Sequence, residues 1–422
     1  MFMKSISEIS FSGKKVLIRT DFNVPINELG EISDNSRIVA SLPTIKHVLS
    51  SGGSCILASH MGRPKGNNEE LSLERLIPEL NRLIDADVIF LADCIGPHTK
   101  EVCLNLTPGR VVLLENLRFY KEETLADFNF AKELASLADV YINDAYGTTH
   151  REHASTVTIA QFFNEKCAGM LLEKEINSLK KLMDNPKKPV TAIIGGAKVS
   201  SKISVIINIL DFVDNLIIGG GMAYTFVKHN GGRIGDSIFE KDRLKDCSNI
   251  LLHANKKNVK LFLPDDTVVS DQFSEKSIKK TVDINEVPDG WQGLDIGPRT
   301  IEKFERVIEN SRTVLWNGPM GVFEMSSYEK GTSSIAKSVA QATINGAFSL
   351  VGGGDSVAAI KKFNLENDVS FISTGGGAML ESLEGKALPG IKALMSNKHE
   401  NRSTCYNDIF AFYFLCIPSD RE

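Results

Sequence analysis

The seven cysteines of the sequence (Cys55, Cys94, Cys103, Cys167, Cys247, Cys405 and Cys416) include no C-x-x-C pair. An odd, scattered set offers neither zinc-ligand spacing nor a disulfide framework, and it suits a reducing cytosol. Long apolar runs are missing too. The longest, Ile409–Ile417, has nine residues, whereas a membrane span needs roughly 20. The first residues carry Lys4, Glu8 and several serines instead of the apolar stretch of a secretory leader. Positive charge is not in excess: 48 Lys+Arg against 53 Asp+Glu leave a net charge of −5. That balance argues against general nucleic-acid binding but leaves local basic pockets open. No G-x-x-x-x-G-K-[ST] loop is present, and no G-x-G-x-x-G follows a strand-like run. The expectation is a soluble cytoplasmic protein acting on small molecules, with neither membrane nor nucleic acid as partner.

What is present is globular: 42% apolar and 24% charged residues over 422 positions, enough for two or three domains. Short, β-rich apolar runs recur at Lys15–Arg19, Ser54–Ser59, Val88–Ala92, Arg110–Glu115 and Asp139–Asn143, with helix-like segments such as Ser72–Leu83 and Ala126–Leu137 between them. Runs without polar alternation suit parallel strands buried on both faces, and their spacing predicts βαβ winding. The second half repeats the pattern at Val190–Ile194, Asn215–Ile218, Val259–Leu263, Thr313–Trp316, Phe348–Val351 and Val369–Ser373. Between the halves, Cys167–Met183 reads as one amphipathic helix stopped by Asp184-Asn185-Pro186. The domain boundary is placed there.

Several second-half strands run directly into glycine, at Gly195-Gly196, Gly219–Gly221, Gly352–Gly354 and Gly375–Gly377. One such run is an ordinary tight turn. Four at the ends of strands in one domain favour a nucleotide site assembled from separate loops, because glycine lets backbone N–H groups approach phosphate or base closely. Lys198 and Lys202 are spaced i,i+4 and are expected to share one face at a helix start, placed to hold a transferring phosphoryl group. Asp355, directly after Gly352–Gly354, is placed to bind Mg²⁺ bridging nucleotide phosphates; an Asp after glycine is also an ordinary turn or cap residue.

The first half carries a different set. Asp21 and Asn23 follow the first strand, His60 and Arg63 the second. Arg118 follows the run ending near Glu115. His150, Arg151 and His153 follow Asp139–Asn143, and Arg37 opens the segment after Asn35-Ser36. One loop arginine is a solubiliser. Four or five with histidines, in an acidic protein, make an anion site whose guanidinium groups fork onto phosphate and carboxylate oxygens.

At these residues the sequence resembles the phosphoglycerate kinase family. Ten stretches agree with family motifs in family order. They are Arg19–Pro25, Ser59–Pro64, Asn143–His153, Gly195–Lys202, Gly219–Phe226, Gly293–Pro298, Trp316–Glu324, Gly352–Ser356, Ser373–Ala378 and Leu388–Gly390. The resemblance implies an α/β fold of two Rossmann-like domains with parallel central sheets. These would be residues 1–166, with a return segment at 386–396, and residues 186–385, joined by an interdomain helix at 167–185. It also implies reversible Mg²⁺-dependent phosphoryl transfer between 1,3-bisphosphoglycerate and ADP, giving 3-phosphoglycerate and ATP, with hinge-bending closure.

Carried over by position, Asp21, Phe22, Asn23, Arg37, His60, Met61, Gly62, Arg63, Arg118 and Arg151 would bind the phosphoglycerate. Arg37, Lys198, Gly354 and Gly377 would act on the transferring group. Gly196, Ala197, Lys202, Gly219, Gly220, Gly293, Leu294, Asn317, Glu324, Gly353, Gly354, Asp355 and Ser356 would bind ATP or ADP, with Asp355 holding Mg²⁺. Two departures stand out. Ser356 replaces the usual Thr and keeps the hydroxyl. The tail at 397–422 runs past the family's usual end; its aromatic Ile409–Ile417 stretch could pack on the core, mediate association, aggregate, or be disordered.

Two other classes fit less well. A nicotinamide dehydrogenase would need the glycine fingerprint and an acidic residue about 20 positions on. A two-lobed binding protein without turnover would have lost Arg37, Lys198 or Asp355, and all three are present.

Overall fold

The computed structural model describes residues 3–395, so the tail at 397–422 and the last residue of the expected return segment lie outside the described residues. The chain divides into two compact units: residues 3–177 with 386–395, and residues 178–385.

The first unit is built on strands β1 (Lys15–Arg19), β2 (Ser54–Ala58), β3 (Val88–Leu91), β4 (Val111–Leu114), β5 (Val140–Asn143) and β6 (Lys166–Ala168). They form one sheet in the order β3-β4-β2-β1-β5-β6, with every pairing parallel. β1, β2, β4 and β5 are apolar almost throughout and buried on both faces, as covered parallel strands require. A short helix, Pro389–Lys392, returns to this unit: the Gly390 N–H donates to the Thr149 carbonyl at 2.8 Å. A side chain at Gly390 would press on Thr149 Cα at 2.9 Å, so glycine lets the return segment lie against the loop that carries Arg151.

The second unit contains β7 (Val190–Ile194), β8 (Asn215–Ile218), β9 (Arg233–Ile234), β10 (Lys260–Phe262), β11 (Asp266–Ser270), β12 (Lys279–Asp283), β13 (Glu286–Val287), β14 (Gln292–Ile296), β15 (Thr313–Asn317), β16 (Phe348–Val351) and β17 (Phe371–Ile372). The central sheet runs β10-β8-β7-β15-β16-β17 and is again parallel throughout. A separate antiparallel sheet, β12-β11-β14, was not anticipated from the sequence. Its outer strand Lys279–Asp283 reads KKTVD, too polar to stand out as an apolar run.

The connecting segment differs from expectation at its start. Cys167 is not helical; with Ala168 it pairs in β6 against Ile142 and Asn143. The helix is Met170–Met183, and the division between units falls within it. Asp144 explains the offset. One of its oxygens accepts from the N–H groups of Leu171 (2.9 Å) and Leu172 (3.2 Å), capping the helix from the end of β5. A side chain at residue 169 would overlap that carboxylate, so Gly169 is the break. Burial pushes Asp144 up to about 6, against the hydrogen bonds from Thr44 and the two amides.

Candidate functional site

In the first unit the cationic residues gather over the carboxyl ends of β4, β2, β1 and β5, four neighbours in the sheet. Ligands of open α/β sheets bind at that edge. Arg37, in the first turn of the helix Ser36–Ser50, donates through NH1 to both oxygens of Asp21, at 3.0 and 2.9 Å. Asn23 accepts from the Gly62 N–H at 2.9 Å and Arg118 NH1 donates to the Gly62 carbonyl at 2.5 Å, so the loops after β1, β2 and β4 are tied together. A cavity of about 590 Å³ is lined by Arg63, Lys65, Arg118, Arg151 and His153. The side chains of Phe22 and Met61 lie in the core instead. The Phe22 N–H is taken by Ser59 Oγ, and both Met61 backbone groups by Asn116, so these two shape the loops from beneath.

Beneath the arginines is a buried charge network that sequence reasoning missed. Arg19, the last residue of β1, is wholly enclosed. Its Nε donates to Ser155 Oγ at 2.8 Å, its NH1 to the Thr20 carbonyl, and its NH2 to His60 Nδ1 at 3.4 Å, while Glu123 Oε1 lies 3.9 Å away. Glu123, equally enclosed, accepts from the Ser155 hydroxyl (2.6 Å) and N–H (2.9 Å). The available signal was an arginine closing an apolar strand, Lys15–Arg19.

Burial holds His60 well below its usual range, reinforced by Arg19, Arg118, Arg37 and Arg151. The ring is therefore neutral. A guanidinium only donates, so with Nδ1 facing Arg19 that nitrogen accepts and the proton belongs on Nε2. Burial, then Arg19, Arg118 and Arg151, push His153 down to about 4, outweighing the Glu123 carboxylate 3.7 Å from its Nδ1.

Because the unfolded chain takes up that proton near 6.5 and the folded one only near 4, stability should rise with pH across this window and be lost as pH falls through it. His153→Gln should flatten the dependence of Tm on pH between about 4 and 6.5 without abolishing it, since His60 is displaced the same way. An unchanged slope would contradict this.

In the second unit the glycine runs end β7, β8 and β16, neighbours or next neighbours around β15. For the glycines that lead each of these runs, the expectation that their amides face a ligand needs correction. The N–H groups of Gly195, Gly196, Gly219 and Gly352 donate to Asn317, Pro319, Ile194 and Trp316 carbonyls, extending the sheet contacts. What these glycines provide is room. Gly220 has φ +66°, and a side chain there would meet Gly196 N at 2.6 Å and Pro319 O at 2.8 Å. At Gly293 a side chain would overlap the Tyr224 hydroxyl, itself fixed on Thr267 Oγ1 at 2.6 Å. Donors come instead from the helix Gly354–Lys362. Gly353 precedes it with no side-chain cap, leaving the first-turn amides for an anion. A cavity of about 590 Å³ is lined by Gly196, Ala197, Gly220, Gly293, Leu294, Glu324 and Asp355.

The two lysines do not share a helical face. The helix begins at Ile203; Lys202 is its cap residue and Lys198 lies in the loop before it. The intervening Ser200 is drawn away by Glu240, which accepts from both its N–H and its hydroxyl. Lys202 reaches Asn317 Oδ1, and Asn317 Nδ2 donates to the Gly352 carbonyl at 2.7 Å. Burial lowers Lys202, partly offset by Asp355. Ser356 is enclosed with its hydroxyl accepting from the Gly318 N–H at 2.5 Å, so that oxygen supports the loop after β15. Gly377 is exposed in the helix Gly376–Leu383. Among the described residues no group of three or more His, Cys, Asp or Glu could hold a metal ion, and no helix is long and apolar enough to cross a membrane.

A family model described as phosphoglycerate kinase matches residues 6–386. The chain is 47% identical over 415 residues to a phosphoglycerate kinase of Porphyromonas gingivalis, covering 92% of this chain and 99% of that one. It is 49% identical over 390 residues to a cytosolic phosphoglycerate kinase of Triticum aestivum, covering 92% and 97%. The solved phosphoglycerate kinase of Coxiella burnetii superposes with a TM-score of 0.85 at 39% identity, covering 93% and 98%. That of Pyrococcus horikoshii gives 0.80 at 32%, with the same coverage.

Proposed function

The chain belongs to the phosphoglycerate kinase family, enzymes that transfer phosphate, and on that premise we propose that it catalyses the Mg²⁺-dependent exchange of a phosphoryl group between 1,3-bisphosphoglycerate and ADP. The observation that carries the reading is the division of labour: guanidinium groups at the strand ends of one sheet, an uncapped helix terminus and a glycine-walled cavity at those of the other.

Asp21, Asn23, Arg37, His60, Arg63, Arg118 and Arg151 hold the phosphoglycerate, with Phe22, Met61 and Gly62 setting the loop. Gly196, Ala197, Gly219, Gly220, Gly293, Leu294, Asn317 and Glu324 form the adenosine side, and Lys202 with Gly353, Gly354, Asp355 and Ser356 the phosphate side. Arg37 and Lys198, with Gly354 and Gly377, stabilise the group in transit. Phosphoryl transfer needs little covalent help; positioning and charge stabilisation dominate. A magnesium ion takes one or two carboxylates plus phosphate oxygens. Asp355, on the first turn of its helix and lining the cavity, fits that demand as a single carboxylate. The ion would neutralise phosphate charge there.

An acyl phosphate must be shielded from water, so the two units close over both ligands, with the helix Met170–Met183 as hinge between a phosphoglycerate domain and a nucleotide domain. We place this activity in the cytoplasm, in keeping with the wheat relative, which is named as a cytosolic enzyme, and in a monomer. The net charge of −5 fits small anions held locally better than a nucleic-acid partner.

A spectrophotometric assay coupling acyl-phosphate formation to NADH oxidation tests the reading. Turnover should require 3-phosphoglycerate, ATP and Mg²⁺ together. Turnover without the acid, or none with all three, would refute it.

A further inference from the structure

The loop carrying Lys198 is held at both ends, and the side chain that holds its far end lies outside the residues already assigned. At the near end Gly196 N–H donates to the Pro319 carbonyl at 3.0 Å. At the far end Glu240 accepts from the Ser200 N–H at 2.9 Å and from the Ser200 hydroxyl at 2.6 Å. Glu240 is itself fixed. Its own N–H donates to Thr225 Oγ1 at 3.1 Å, and Thr225 is buried in the helix Ala223–His229 that leaves the Gly219–Gly221 run. Lys198 is exposed on a stretch without helical support, between the Gly196 contact and this carboxylate.

We propose that Glu240 is a positioning residue that fixes the Lys198 loop relative to the nucleotide-binding glycines, and so sets where the Lys198 ammonium meets the transferring phosphoryl group. A long side chain on an irregular loop aims its charge only as well as its backbone is held, and misplacement by about an ångström is enough to cost two orders of magnitude in rate. A carboxylate accepting two N–H or O–H bonds from one serine fixes both the direction and the distance of that backbone. Burial pushes Glu240 up, but the hydrogen bonds from Ser200 and Val199 outweigh it and keep the carboxyl below its usual range, so it is an acceptor throughout the neutral range.

The inference rests on the phosphoryl-transfer reading, and the test separates the two. In the full chain, Glu240→Ala should lower kcat by about tenfold or more while nucleotide KM stays within about twofold, because the loss falls on the transition state rather than on ground-state binding. Glu240→Gln, which keeps an acceptor for Ser200, should recover most of kcat. Independently of turnover, the amides of Val199 and Ser200 should exchange hydrogen about tenfold faster in Glu240→Ala than in the parent and in Glu240→Gln. Unchanged exchange overturns the inference even in a protein with no kinase activity. Faster exchange with kcat intact, or a loss confined to nucleotide KM, overturns it as well.

Discussion

Arg37→Ala should lower kcat on the order of 10³-fold while weakening phosphoglycerate binding by less than about tenfold. The reason lies in how the guanidinium is held. Arg37 occupies the first turn of Ser36–Ser50, and its NH1 spans both oxygens of Asp21. That fork fixes the side chain in advance, so it can act on charge that develops only as the phosphoryl group moves. An arginine in that role in other phosphoryl-transfer enzymes is worth roughly 10³–10⁵ in rate. Arg118, tied to the Gly62 carbonyl and lining the cavity, and Arg151 remain to bind the acid in the variant. Steady-state kinetics in both substrates decides the matter. A variant with parental kcat and a raised KM for the acid would make Arg37 a binding residue only.

Arg19→Met should destabilise the protein by about 3–5 kcal/mol, the usual consequence of removing one partner from a buried ion pair. Arg19 and Glu123 are both wholly enclosed, 3.9 Å apart, and share Ser155 as a common hydrogen-bond partner. Without the guanidinium, Glu123 keeps the two Ser155 donors but loses its nearest fixed countercharge. His60 Nδ1 loses its donor at the same time. Adding Glu123→Gln to Arg19→Met removes the stranded charge and should recover at least about half of the loss. Urea denaturation followed by circular dichroism measures both. A loss below about 1 kcal/mol would mean that the pair contributes little, as exposed pairs do.

Most of the architecture was legible from the chain because both central sheets are parallel and covered. Lys15–Arg19, Val190–Ile194, Asn215–Ile218 and Phe348–Val351 have the bounds read from apolar runs alone. The antiparallel β12-β11-β14 sheet was hidden because a half-exposed strand such as Lys279–Asp283 carries no continuous apolar run. The position of the helix after β6 turned on Asp144 reaching back to cap it, a tertiary contact across 27 residues that no local spacing records.

The site shows the same limit. Charged residues just past strand ends identified the Arg63, Arg118 and Arg151 face. What arranges them is buried and polar: Arg19, Glu123, Ser155, and Asn116 under Met61. Single polar residues inside apolar segments look like noise until a fold brings them together. The i,i+4 spacing of Lys198 and Lys202 misled for a related reason. Spacing fixes a common face only if the helix has begun, and Ser200 bonds to Glu240 instead of to its own backbone.

The most direct test follows the phosphoryl group itself. With ATP labelled at its γ-phosphorus, Mg²⁺ and 3-phosphoglycerate, the label should appear in an acyl phosphate that hydroxylamine discharges, and it should return to ATP when ADP is added in excess. Label released only as inorganic phosphate at a rate indifferent to 3-phosphoglycerate, or retained wholly in nucleotide, would contradict the account.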